Sequence, residues 1–310
     1  MTKVIEDKLL KIPIVNILVR FGKKIKIPGL QGMSSYDLLE MYFIGILKGA
    51  LTSRAGAIAF SFFMALFPFL LFILTLIPYI QIEGFQEDFM FALEQFLPPT
   101  TSESVDLVIK DIAINRYGGL LSFGFITSIF LMTNGVNAIF GGFEYSYHVK
   151  VTRNVIKQFM VALGVSIVLS LLLILTVAII IYFEIVIQNF KARGWVQDDV
   201  YWIQVGRIIF FVIMIYTAVS ILYNYGVKDL KQRSYFTPGA ILTTLLTVLM
   251  FYLFGIYVER FAQYNQLYGS IGTLLILMLF IWLNSVILLL GFELNASMNR
   301  LRLKHKLEQD

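Results

Sequence analysis

Cysteine is missing from all 310 residues, and histidine occurs only twice, at His148 and His305. The first absence excludes disulfides and thiolate metal centres; the second leaves two imidazoles for any metal or acid–base site. Charge is also scarce, at 15%, whereas 58% of the chain is hydrophobic and 28 residues are Phe. A water-soluble core of this length cannot hide that much apolar surface, so the solvent is lipid. The HExxH, GxxxxGK[ST] and glycine-rich dinucleotide patterns are all absent. The formal charge of +5 therefore points to anionic headgroups rather than to nucleic acid.

Crossing roughly 30 Å of hydrocarbon takes about 20 apolar residues in a helix. Six stretches qualify: Ala55–Ile80, Gly118–Phe140, Phe159–Ile187, Ile203–Tyr225, Pro238–Val258 and Tyr268–Phe292. They lack the period-two alternation of barrel strands, which leaves helices as the structure that satisfies their backbone in lipid. The expected fold is an all-α polytopic membrane bundle with a basic arm (1–54), a six-helix transmembrane domain (55–292) and a basic tail (293–310).

Lysine and arginine set the orientation. Nineteen of the 25 fall before Ala55, between spans 2 and 3, between spans 4 and 5, or after Phe292, which predicts cytoplasmic amino and carboxyl termini. No run of signal-peptide form precedes Ala55, so no cleavage is expected. In the first outer loop, Thr100 followed by Glu103 forms a capping box ahead of an apolar face, and Phe85, Phe89, Leu93 and Phe96 mark a second amphipathic helix. The arm reads as a surface-lying anchor, with Ser34 and Asp37 capping a helix that leads into span 1.

Several segments resemble the YihY/BrkB family of bacterial inner-membrane proteins. They are SRAGAIAFSFFMALFPFLLFILTLIPY (53–79), NGVNAIFGGFEYSYHV (134–149) and RFAQYNQLYGSIGTLLILMLFIWLNSVILLLGFELNA (260–296). The resemblance implies six membrane helices and carries two functional labels, ribonuclease BN and virulence factor. The ribonuclease label requires a carboxylate or histidine cluster where RNA is found, and the cytoplasmic loops offer only Glu144, Asp229 and scattered terminal acids. No catalytic residue, metal ligand or cofactor is therefore expected.

The polar residues inside the spans are the remaining candidates. Asn134 and Asn137 share a helix face with Gly141, and Asn284 and Ser285 interrupt span 6. Such amides either bond a neighbouring helix or line a path. Ala57, Ser61 and Ala65 form a small-residue ridge on span 1. Proline is rare, seven in all, yet Pro68 lies inside span 1 and Pro78 near its end, so a kink or break is expected near Met64. Arg54 opens span 1 and Glu293 closes span 6, each at the unfavourable end of a helix dipole. Pairing would relieve both, so spans 1 and 6 are expected to be neighbours. Glu184 and Arg207 form a second candidate pair. Asn295, Tyr264 and Tyr268 complete the set, the tyrosines as headgroup or sugar contacts or as interface anchors. The expected partners are membrane lipids and an amphipathic or lipid-linked substrate; a membrane scaffold is the alternative. Oligomeric state is not readable.

Overall fold

The computed structural model describes residues 49–76, 78, 117–146, 153–194, 199–227, 235–261 and 270–307, with residues 34, 36, 40, 42 and 46 of the arm. Six α-helices account for nearly all of it: α1 (Leu51–Leu76), α2 (Gly118–Glu144), α3 (Val155–Ala192), α4 (Asp199–Gly226), α5 (Pro238–Phe261) and α6 (Ser270–Leu307). All six are long and apolar enough to cross a membrane. The two amphipathic helices expected at 81–117, and most of the arm, lie outside the described residues, although Tyr36, Glu40, Tyr42 and Ile46 are helical.

Consecutive helices pack against one another, α6 closes back on α1, and α2 also reaches α4 and α6. Helices in lipid gain little from hydrophobic exclusion, so close approach of backbones and interlocking side chains must hold them. On α2, Gly124, Gly135 and Gly142 form a shallow ridge, and a methyl added there would meet Phe72, Phe62 and Ile58 of α1 respectively. Glycine at these points lets the Phe62 and Ile58 side chains and the Phe72 backbone of α1 lie against the α2 backbone. Farther along, Phe143 of α2 stacks on Phe292 of α6 at 4.1 Å, and Tyr223 of α4 meets both rings edge-on. The outward faces are apolar: Phe123 and Ile126 on α2, Ile174 on α3 and Leu245 on α5 are each more than 60% exposed. Scattered widely around the bundle, such residues form a lipid-facing surface rather than a patch for one partner.

Three expectations change. The helix of span 1 runs through Pro68, from Leu51 to Leu76, so the chain does not break near Met64. One missing N–H is a small loss in 26 residues of helix whose other backbone bonds have no better partner in lipid. Pro78 falls just past the helix end, where proline is common. The helix of span 3 covers 38 residues, about 57 Å at 1.5 Å per residue, and projects beyond any bilayer core. Glu293 does not close the last helix, because α6 continues to Leu307. The segment LNASMNRLRLKHKL contains neither Gly nor Pro and is rich in helix formers. Leaving lipid does not oblige a helix to stop.

Candidate functional site

One end of the bundle gathers the first turns of α1, α3 and α5 with the last transmembrane turns of α2, α4 and α6. Arg54, in the first turn of α1, is buried there. Its Nη1 donates to the Gly142 carbonyl of α2 at 2.7 Å and its Nη2 donates to Glu293 Oε1 of α6 at 2.6 Å. The other carboxylate oxygen, Oε2, accepts from Ser146 Oγ at 2.9 Å. Glu293 has no exposed surface and the Arg54 side chain only 6%. Three helices thus meet in one charged network, with the Phe143–Phe292 stack next to it. The expected neighbourhood of spans 1 and 6 is present, with α2 between the charges as a third partner. The dipole argument keeps only its Arg54 half, since Glu293 sits well inside α6.

The network is incompletely satisfied. Among the described residues, Arg54 Nε is buried without a partner, and so is the hydroxyl of Ser297, one turn beyond Glu293 on α6. Tyr42 in the arm lies within electrostatic reach of Glu293. Burial first, and the carboxylate's negative charge second, raise its phenol above the ordinary value, so Tyr42 is neutral through the physiological pH range.

Asn295 works on a different joint. Its Oδ1 accepts from the Gly239 N–H at 2.8 Å and its Nδ2 donates to Thr237 Oγ1 at 2.9 Å, while Thr237 Oγ1 also accepts from the Ala240 N–H. Thr237 with Pro238 after it is a favourable helix start, and Asn295 of α6 completes the cap of α5 across the interface. Replacing Asn295 by Ala is expected to cost about 1–2 kcal/mol, as for loss of a cap. Asn295→Asp, which retains an acceptor for Gly239, should recover part of it; SDS titration of mixed micelles measures both.

The remaining candidates separate. Asn284 Nδ2 donates to the Phe280 carbonyl and Ser61 Oγ to the Ala57 carbonyl, each on its own helix. Neither bond reaches across helices. Asn134 and Asn137 are half-buried, and Asn137 Oδ1 is enclosed without a donor among the described residues. Nearby, Thr133 Oγ1 and Ser166 Oγ lie 3.4 Å apart between α2 and α3, and Ser170 Oγ donates to Met132 Sδ. Asn137 therefore sits on a polar seam between these two helices. Arg153 donates to the Tyr225 carbonyl at the end of α4, and its own N–H donates to Glu144 Oε1. At the opposite end of the bundle, Arg207 pairs with Glu184 at 2.7 Å with both side chains partly exposed. Tyr264 and Tyr268 lie outside the described residues.

Gly142, Ser146, Ser297 and Tyr42 were not legible as site residues. Gly142 contributes only a carbonyl, and Ser146 lies beyond the apolar run that marks span 2. A usable signal existed in the i, i+4 spacing of Glu293 with Ser297, which places Ser297 on the charged face of α6; Ser146 lies two residues past the end of α2, where helical spacing does not apply.

Comparison with known proteins supports this reading of the fold. The family model Virulence factor BrkB matches residues 45–310. The chain belongs to that family. Within the BrkB match lie all six helices, Arg54, Glu293 and Asn295, and the protein is an integral membrane protein. The chain is 28% identical over 253 residues to YfkH of Bacillus subtilis (strain 168), which its name calls ribonuclease-like; the match covers 80% of this chain and 90% of that one. It is 31% identical over 87 residues to UPF0761 membrane proteins of Xanthomonas axonopodis pv. citri (strain 306) and Xanthomonas euvesicatoria pv. vesicatoria (strain 85-10). Those matches cover 28% of this chain and about a fifth of the relatives, 21% and 20%. No solved structure matches.

Proposed function

We propose that this BrkB-family chain translocates an amphipathic or lipid-linked molecule across the bacterial cytoplasmic membrane without catalysing a reaction, and that its Arg54 end is the closed cytoplasmic end of the path. The observation that carries this reading is the fully buried Glu293 bridging Arg54 and Ser146 between α1, α2 and α6. A buried pair seldom stabilises more than apolar packing of the same volume would, so its best-attested use is in switching or register. An ionisable pair enclosed between membrane helices is by default a functional-site candidate. The unmet polar atoms Arg54 Nε, Ser297 Oγ and Asn137 Oδ1 fit an interior that rearranges around polar cargo. The excess of Lys and Arg in the segments at this end supports its cytoplasmic placement.

The non-enzymatic part rests on how the carboxylates are engaged. Glu293 serves Arg54 and Ser146, Glu144 accepts from the Arg153 amide, and Glu184 pairs with Arg207. Among the described residues, no group of three or more His, Asp or Glu is placed to hold a metal. A scaffold is the second reading, and Ser61 and Asn284 favour it, since each spends a donor on its own helix backbone rather than on a passing molecule.

Fluorescent headgroup-labelled phospholipids in proteoliposomes separate the two. Dithionite added outside should quench label from both leaflets when the protein is present and only the outer leaflet in protein-free vesicles. Quenching confined to the outer leaflet for zwitterionic and anionic probes alike, at verified protein content, would overturn translocation and leave the scaffold.

A further inference from the structure

The Arg54 network has a geometric asymmetry that reaches beyond a closed gate. A guanidinium presents a side-on edge made by Nε–H and one Nη2–H, and a carboxylate or phosphate normally fills it with two oxygens. Here Glu293 takes only the Nη2 half, through Oε1, because Oε2 is held by Ser146. Among the described residues the Nε half is buried and has no acceptor. Ser297, fully enclosed one turn along α6, is a second polar group without a partner among them. If Glu293 withdrew, the whole Arg54 edge, Nε and Nη2, would face the vacated position beside Ser146, with Ser297 one turn along α6. An acceptor that replaced Glu293 would have to offer two oxygens to the Arg54 edge, and at the headgroup end of a membrane bundle the anion that carries them is a phosphate group.

We propose that Arg54 is an anion-recognition residue for a phosphate group, and that Glu293 is an incomplete intramolecular stand-in for that group in the resting state. As the headgroup of a translocated molecule, the phosphate rests on the proposed function above; as a binding site, it stands without it. Position favours the same assignment. Arg54 lies in the first turn of α1, where the unpaired amides of the helix add to its positive potential.

Removing the stand-in should expose the site. In the full chain purified in detergent, Glu293→Gln keeps the shape of the side chain and removes its charge. Apparent affinity for inorganic phosphate, read from the rise in thermal midpoint with concentration, should tighten at least about tenfold over the wild type, as expected when a tethered competitor is lost. The double variant R54Q/E293Q should lose the response. Ser146→Ala tests the idea in the opposite sense: freed from the serine, Oε2 can turn onto Arg54 Nε, close the edge and weaken phosphate binding below the wild type. It also serves if Glu293→Gln does not fold.

Nanodiscs of phosphatidylglycerol and of phosphatidylcholine identify the source. Stabilisation of Glu293→Gln by phosphatidylglycerol alone assigns the site to a lipid headgroup, and stabilisation by inorganic phosphate alone assigns it to a free ion. The inference is overturned if neither anion shifts Glu293→Gln, or if the shift persists in R54Q/E293Q. Flux that ignores headgroup charge would remove the substrate role while leaving translocation intact; anion binding without flux would do the reverse.

Discussion

Replacing Glu293 by leucine is expected to destabilise the folded bundle by about 3–5 kcal/mol, the range found when one partner of a buried ion pair is removed. The cause is what remains. Arg54 would keep a guanidinium that does not deprotonate in proteins, with its side chain only 6% exposed, and Ser146 would lose its acceptor. Replacing Arg54 and Glu293 together by leucine should recover most of the loss, since two apolar side chains substitute well for an enclosed pair. SDS titration of mixed micelles for the wild type, both single variants and the double variant completes the cycle. A double variant as unstable as the sum of the singles would mean that the two residues act independently. The pair would then hold nothing together.

The second large effect is expected at Gly291. A methyl on its Cα would overlap Thr243 Oγ1, the Gly239 carbonyl and the Tyr223 hydroxyl at once. Gly239 faces it across the crossing, where an added methyl would overlap the Gly291 carbonyl. Neither backbone can yield as a flexible side chain would, so α5 and α6 must separate. Tyr223 Oη of α4 bridges the two helices, bonding Thr243 Oγ1 at 2.6 Å and the Leu288 carbonyl at 2.7 Å, so separation would break at least one of these bonds. Gly291→Ala should therefore cost at least the upper part of the 1–3 kcal/mol typical of overpacking, about 3 kcal/mol. Gly164→Ala on α3 is the control, because a methyl there meets nothing within 4 Å. It should be neutral or stabilising by up to about 1 kcal/mol, as expected for removing a helical glycine. The same micelle titration measures both.

The spans were legible because bilayer thickness imposes a length on apolar runs, and α2 and α5 begin at the residues where those runs begin. Helix ends were less legible. The apolar run of span 6 stops at Phe292, but nothing after it breaks a helix, so α6 reaches Leu307. Likewise α3 starts at Val155, four residues before its apolar run, where Asn154 Oδ1 accepts from the Ile156 N–H and caps it. A cap is a local event and does not mark the edge of the lipid.

The candidate site was half legible, for a related reason. Arg54 and Glu293 stand out in sequence as charges next to apolar runs, and the cost of leaving either alone points to a pair. Their third and fourth partners do not stand out, because a glycine carbonyl and a serine hydroxyl carry no compositional signal. Polar residues within the spans were legible as candidates but not in their bonding. Asn284 suggested a path or a helix contact and Ser61 a close-packing ridge, and each donates to an acceptor one turn back on its own helix. Only the three-dimensional packing decides whether an amide is turned inward, as with Asn137 Oδ1, or folded onto its own backbone.

The absence of native cysteine permits a direct test of whether the Arg54 end opens during translocation. Ile58 of α1 and Leu289 of α6 both pack against Gly142, so cysteines at these two positions should be joined in membranes by a short, reducible thiol cross-linker with Arg54 and Glu293 left intact. Cross-linking should stop lipid flux in proteoliposomes, and reduction should restore it. Flux that continues unchanged with α1 and α6 locked together would show that this end is not the gate.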